Sequence, residues 1–229
     1  MTTLLILLFA QQPDFEPLFR QALAQRSQSL GPQAPLTRQS ARDLALYLAD
    51  RGDHARAADY LEPALATANT TQAATALHNW AVAIEESDAA LAERLYRKAL
   101  QLRARLLPAQ DPELASTRLN LAGLLLPTKP TEAGPLALAA LRIFVGTSDA
   151  RAGAACGILG AVYATQGNVP GAEQMFRRAL TLADKAHGPN SPFTASALEN
   201  LADLLRQTGR ESTARPLLER AQNIRVRAR

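Results

Sequence analysis

The chain has 229 residues, 47% hydrophobic and 20% charged, enough apolar side chains for one domain with a sizeable core or for one elongated array. About a fifth of it is alanine, leucine is nearly as common, and isoleucine and valine are scarce, which favours helix and argues strongly against a β-sandwich or barrel. One cysteine and apolar residues throughout exclude disulfide-stapled, collagen-like and strongly disordered classes. The formal charge is +4 and the pI near 9.6, carried almost wholly by arginine. Acidic residues interleave with those arginines nearly everywhere, the mark of a mixed solvated helical surface more than of a nucleic-acid face. A nucleic-acid-associated regulatory factor is therefore kept as the alternative, not the leading expectation.

From the N-terminus, Leu4 to Ala10 is an apolar run far too short to span a bilayer, and no transmembrane span is expected. It fits the apolar core of a very short signal segment cut after Ala10. Against that, no Lys or Arg precedes it and Leu8 is large for its place before the cut. The other reading is a hydrophobic stub on the first helix. Export and cytoplasmic residence stay open, and residues 1–13 are set apart from an array over 14–229.

Beyond residue 13 the chain repeats. Ala-Leu recurs at Ala22, Ala64, Ala99, Ala140 and Ala179, with Ala221 continuing the series, at intervals of 42, 35, 41, 39 and 42 residues. A second column of small residues, Ala45, Ala81, Ala122, Gly160 and Ala202, keeps the same uneven spacing. Such a period in an alanine- and leucine-rich chain means stacked helical hairpins. A lone helix is predicted at 14–28, then five helix pairs at 36–68, 71–106, 111–144, 149–186 and 191–227. The last pair shows the signals most fully. Ser191-Pro192 caps and opens the first helix (A), Leu198, Leu201, Ala202 and Leu205 form one apolar stripe, and Gly209 ends it. The second helix (B) carries Ala214, Leu217, Leu218, Ala221 and Ile224. Ala57, Ala92, Ala133, Ala172 and Ala214 stand where the paired helices cross, because only a small side chain lets two backbones approach closely.

Cys156-x-x-Leu159-Gly160-x-x-Tyr163, followed by Ala172-x-x-x-Phe176 and Ala179, resembles the tetratricopeptide repeat pattern, with Cys156 where a tryptophan is usual. The long period, with Ala172 to Leu180, His187-Gly188-Pro189-Asn190-Ser191-Pro192 and Leu198-Glu199-Asn200-Leu201-Ala202, is similar to the kinesin-light-chain subfamily. The resemblance is strong from residue 150 onward and looser between 70 and 148, where Pro127-Thr128-Lys129-Pro130 and Glu85-Glu86-Ser87-Asp88 replace the usual glycine-containing turns. It implies an all-α, right-handed superhelical solenoid of antiparallel helix pairs that binds peptides or proteins in its groove and performs no chemistry.

In such an array helices A line the concave face. One helix-A column reads Asp43, Asn79, Asn120, Ile158, Asn200. Asparagine costs up to ~0.7 kcal/mol against alanine inside a helix, so its recurrence at one register asks for a reason. One reason is pairing with the backbone of an extended ligand, as this column commonly does in the resembled family; the other is a bond between neighbouring helices. Arg42, His78, Glu85, Glu86, Glu199, Asp203 and Arg206 are further groove candidates, mixed in sign. The middle, around Gly157, Ile158 and Ala161, is small and apolar, which suits a hydrophobic ligand side chain flanked by charges. Trp80 is assigned to the core.

No enzymatic signature competes. His54, His78 and His187 lie in three units without metal-ligand spacing, Cys156 lies in a buried stripe, and no nucleophile elbow or phosphate loop occurs. Glu199 and Asp203 share a helix face, a spacing far commoner in surface charges than in acid–base pairs. Asn69-Thr70-Thr71 fits a glycosylation triplet. The expectation is a non-enzymatic scaffold with an unidentified protein or peptide partner, no cofactor, no metal and no small-molecule substrate.

Overall fold

The computed structural model describes residues 14–53, 56–61, 70–147 and 149–227. The apolar leader, His54, Ala64, Asn69 and the side chain of Asp50 lie outside the described residues.

Ten helices are bounded: α1 Glu16–Leu30, α2 Pro35–Asp50, α3 Thr71–Ile84, α4 Ala89–Leu106, α5 Pro112–Leu125, α6 Pro130–Gly146, α7 Ala152–Thr165, α8 Val169–His187, α9 Pro192–Gln207 and α10 Glu211–Arg227. Residues 56–61, between α2 and α3, are helical as well. No strand occurs among the described residues. Each helix packs mainly on its neighbours in sequence, and α5, α7 and α9 also touch one another directly across the array. The result is a right-handed superhelical solenoid of antiparallel pairs. Helices α2, α3, α5, α7 and α9 are the A members.

The starts and stops have local causes. Thr70, Asp88, Asp111, Asn168 and Ser191 each accept a backbone N–H of the first turn through the side chain, satisfying a donor the helix leaves unpaired. Between α7 and α8 the chain reverses through Gly167 at φ 72°, and between α9 and α10 through Gly209 at φ 76°, a left-handed backbone that glycine adopts without steric cost.

The small-residue columns mark the crossings. Ala81, Ala122, Ala202, Ala92, Ala133, Ala172 and Ala214 have no exposed surface. Gly160 shows the reason at atomic scale: a Cβ there would stand 2.6 Å from the Phe176 ring, so α7 and α8 are too close for alanine. Cys156 is fully buried, which pushes its thiol pKa up and makes it a core side chain rather than a nucleophile. Trp80 is 8% exposed and belongs to the core that runs from α2 to α8. Two smaller clusters continue that core to α10.

Candidate peptide-binding groove

Asp43, Asn79, Asn120, Ile158 and Asn200 hold one register on the A helices. Asn79 and Asn200 are exposed, while Asp43, Asn120 and Ile158 are half-buried. Around Ile158 the face sinks into a cavity of about 430 Å³. Gly153, Ala154, Gly157, Ile158 and Ala161 of α7 form one wall, and Phe193, Ser196, Ala197 and Asn200 of α9 form the other. Ala179 and Ala183 of α8 line it too, with His187 and Arg151 among its polar residues. A second hollow of about 490 Å³, between α5 and α7, shares Ala154 and Ile158 with the first and adds Glu85, Asn120, Gly123 and Pro127.

The cavity between α7 and α9 coincides with missing side chains. The position one before the asparagine column holds His78 on α3, Leu119 on α5, Gly157 on α7 and Glu199 on α9. In the fourth pair that register has no side chain. The nearest atom to a Cβ built on Gly157 is the amide nitrogen of Asn200, 3.9 Å away, so the space is open.

That column also explains where the other candidates lie. His78 does not open onto the groove. It is 8% exposed, with its ring edge against Tyr96 at 5.6 Å between centroids, and its Nδ1 has no hydrogen-bond partner among the described residues. Burial, with Arg103 nearby, lowers its pKa to about 4. Glu199 holds the same register in the fifth pair and accepts 2.8 Å from Arg225 of its own partner helix. Asp203 and Arg206 are exposed, 3.7 Å apart one turn along α9, and Arg206 also approaches Glu211 at 3.5 Å. Arg42 is half-buried on α2, at the far end of the array from Asn200.

Two polar arrangements frame the hollows. Arg151, which lines the cavity between α7 and α9, is held by Asp149 at 2.7 and 3.0 Å and lies over the Phe144 ring. That contact keeps the Asp149 carboxyl below the usual carboxylate range. In the second hollow the Tyr96 hydroxyl donates to Glu85 Oε2 at 2.8 Å and also meets the Asn120 side chain. Asn120 thus has a partner inside the array, while Asn200 faces the cavity.

One buried group escapes the sequence reading. The side chain of Arg103, on α4, is only 2% exposed. It donates to the Glu113 carbonyl at 2.7 Å, Thr117 Oγ1 at 2.6 Å, Glu113 Oε2 at 2.8 Å and Thr75 Oγ1 at 3.3 Å. Its signal was an arginine on the apolar stripe of Leu91, Leu95, Ala99 and Leu102. Elsewhere the arginines largely meet acids: Arg20 and Arg56 with Glu16, Arg97 with Glu93 and Glu132, Arg177 and Arg210 with Glu173, Arg220 with Asp184. Among the described residues no cluster of metal-binding side chains occurs, and no helix is long and apolar enough to cross a membrane.

The described residues form a helical solenoid of antiparallel pairs, with hollows between α5 and α7 and between α7 and α9. The tetratricopeptide repeat family model matches residues 16–70 and 151–225, more than half the chain, and the protein belongs to that family, whose members generally act as protein–protein interaction scaffolds. Its fold is similar to that of BtubC (BKLC) from P. vanneervenii, at 19% identity and TM-score 0.67 over 93% of this chain and 90% of that one. It is similar as well to a Podosopora anserina putative kinesin light chain with nearly identical TPR-like repeats, at 20% identity and TM-score 0.66 over 85% and 97%. MamA from Desulfovibrio magneticus RS-1 shares the fold at 17% identity and TM-score 0.59 over 82% and 94%. No curated protein sequence matches the chain at a significant level.

Proposed function

We propose that this protein is a non-enzymatic scaffold that binds an extended peptide segment along the concave groove, with one apolar side chain seated between α7 and α9. The observation that carries this is the apolar cavity of about 430 Å³ beside Gly157, open to the groove and edged by Asn200. Its size falls within the roughly 300–1,000 Å³ of typical ligand pockets, and burying a leucine- or phenylalanine-sized side chain there would contribute about 1.5–3 kcal/mol. Asn200 offers an amide donor and acceptor to the backbone of that segment.

Selection of random linear peptides displayed on phage, with the purified protein as bait, tests the proposal. Peptides that bind should carry a large apolar residue. Asn200→Ala should weaken them by about 1–3 kcal/mol without lowering the melting temperature, because the exposed amide gives way to a better helix former. Asn120→Ala should cost some stability too, through its lost contact with Tyr96. An Asn200→Ala protein that melts earlier yet binds the peptides normally would make the asparagine a structural tie and remove it from the groove.

A further inference from the structure

We propose that the groove selects a basic apolar segment, in which an arginine or lysine follows or precedes the anchoring apolar side chain by about three residues and pairs with Glu85. This rests on the peptide-groove reading above and names the chemistry of its ligand.

Of the described residues lining the hollow between α5 and α7, Glu85 is the one that carries charge. Its neighbours there are Leu119, Asn120, Leu124, Pro127 and Ile158, so a carboxylate stands in a largely apolar recess. It differs from Glu93, Glu113, Glu173 and Glu199, each ion-paired with an arginine. The contact seen for Glu85 is the phenol of Tyr96, which fixes one carboxylate oxygen at 2.8 Å and leaves the other for a ligand. Glu86, exposed beside it, adds to the negative potential at this end of the groove. At the other hollow the cation of Arg151 is already neutralised by Asp149. Charge complementarity therefore favours a cation on the ligand at the Glu85 end and nothing charged in the cavity between α7 and α9.

The spacing follows from the fold. The two hollows meet at Ala154 and Ile158 and are separated by one interhelical step. Neighbouring packed helices lie about 8–10 Å apart and an extended chain rises about 3.3 Å per residue, so the two side chains fall about three residues apart.

The test uses the peptides selected on the full-length protein, with fluorescence anisotropy for affinity. Apolar residues should co-occur with arginine or lysine about three positions away. Glu85→Gln keeps an oxygen for the Tyr96 hydroxyl, so its melting temperature should not change, while affinity falls about tenfold. Glu85→Lys used as bait should instead select acidic residues at that spacing. Peptides that respond to Asn200→Ala but show no basic enrichment and no change on Glu85→Gln would overturn the basic-segment proposal and leave the groove standing. Peptides that ignore both Asn200→Ala and Glu85→Gln would overturn both. A Glu85→Gln protein that melts earlier is compared through Tyr96→Phe, which removes the same hydrogen bond: equal loss of affinity in the two would make Glu85 structural and overturn the proposal.

Discussion

Replacing Arg103 by alanine should lower stability by about 2–3 kcal/mol, since the buried guanidinium leaves a cavity and unmatched hydrogen-bond acceptors, while the Glu113 carboxylate, 58% exposed, is solvated. The guanidinium joins three successive helices, reaching Thr75 on α3 and Glu113 and Thr117 on α5 from its own place on α4. It therefore couples the second helix pair to the third, and coupling between neighbours is what makes a linear array melt as one body. Urea unfolding followed by circular dichroism should show both the loss and a broader transition. Arg103→Lys keeps the charge but cannot supply the planar fork, so it should fall between wild type and alanine. A loss under about 1 kcal/mol for Arg103→Ala would place the bridge among inconsequential surface pairs.

Acidification should act through His78. Its ordinary pKa near 6.5 is lowered to about 4, chiefly because the ring is buried and then because Arg103 disfavours a second positive charge; Glu113 pulls the other way, and Arg151 adds the smallest lowering effect. The folded state thus binds its proton less readily than the unfolded chain. The stability this neutral ring contributes is fully present above pH 6.5 and is lost as pH falls toward 4, by roughly 3 kcal/mol in all. His78→Leu removes both the titration and the unpartnered Nδ1. It should equal or exceed wild type at neutral pH and lose less stability between pH 6.5 and 4. Parallel stability curves for the two proteins over that interval would show that His78 is solvated and ordinary. The two proteins differ only at this side chain, so the difference between the curves isolates the imidazole.

The architecture was legible because the repeat is written twice, once in the Ala-Leu column and once in the crossing column of small residues. The residues that open and close each helix are local, so helix A of the third pair, expected over 111–126, spans Pro112–Leu125. The shared helix-A register of Asn79, Asn120 and Asn200 was legible for the same reason. Burial between successive pairs was not. His78 and Glu199 occupy the same register and looked alike in sequence, yet one is buried against Tyr96 and the other is half-buried and pairs with Arg225. Arg103 was hidden for a related cause: its partners Thr75 and Thr117 lie on two other helices, and no spacing within α4 announces them. The cavity itself was half visible as a run of small residues. That Gly157 leaves a crevice, while Gly160 three residues on meets the Phe176 ring, depends on which face of α7 meets which neighbour.

That pair of glycines supplies the most direct measurement. Gly157→Leu puts a side chain of the kind found at Leu119 into the open crevice, with no close neighbour to displace. Leucine is also the better helix former by about 0.5–1 kcal/mol, so the variant should melt at or above the wild-type temperature. A groove that seats an apolar peptide side chain beside Gly157 should then be blocked, and the selected peptides should bind about tenfold or more weakly to a protein that is no less stable. Undiminished binding to a stably folded Gly157→Leu protein would contradict the account, because the ligand would then lie somewhere other than this groove.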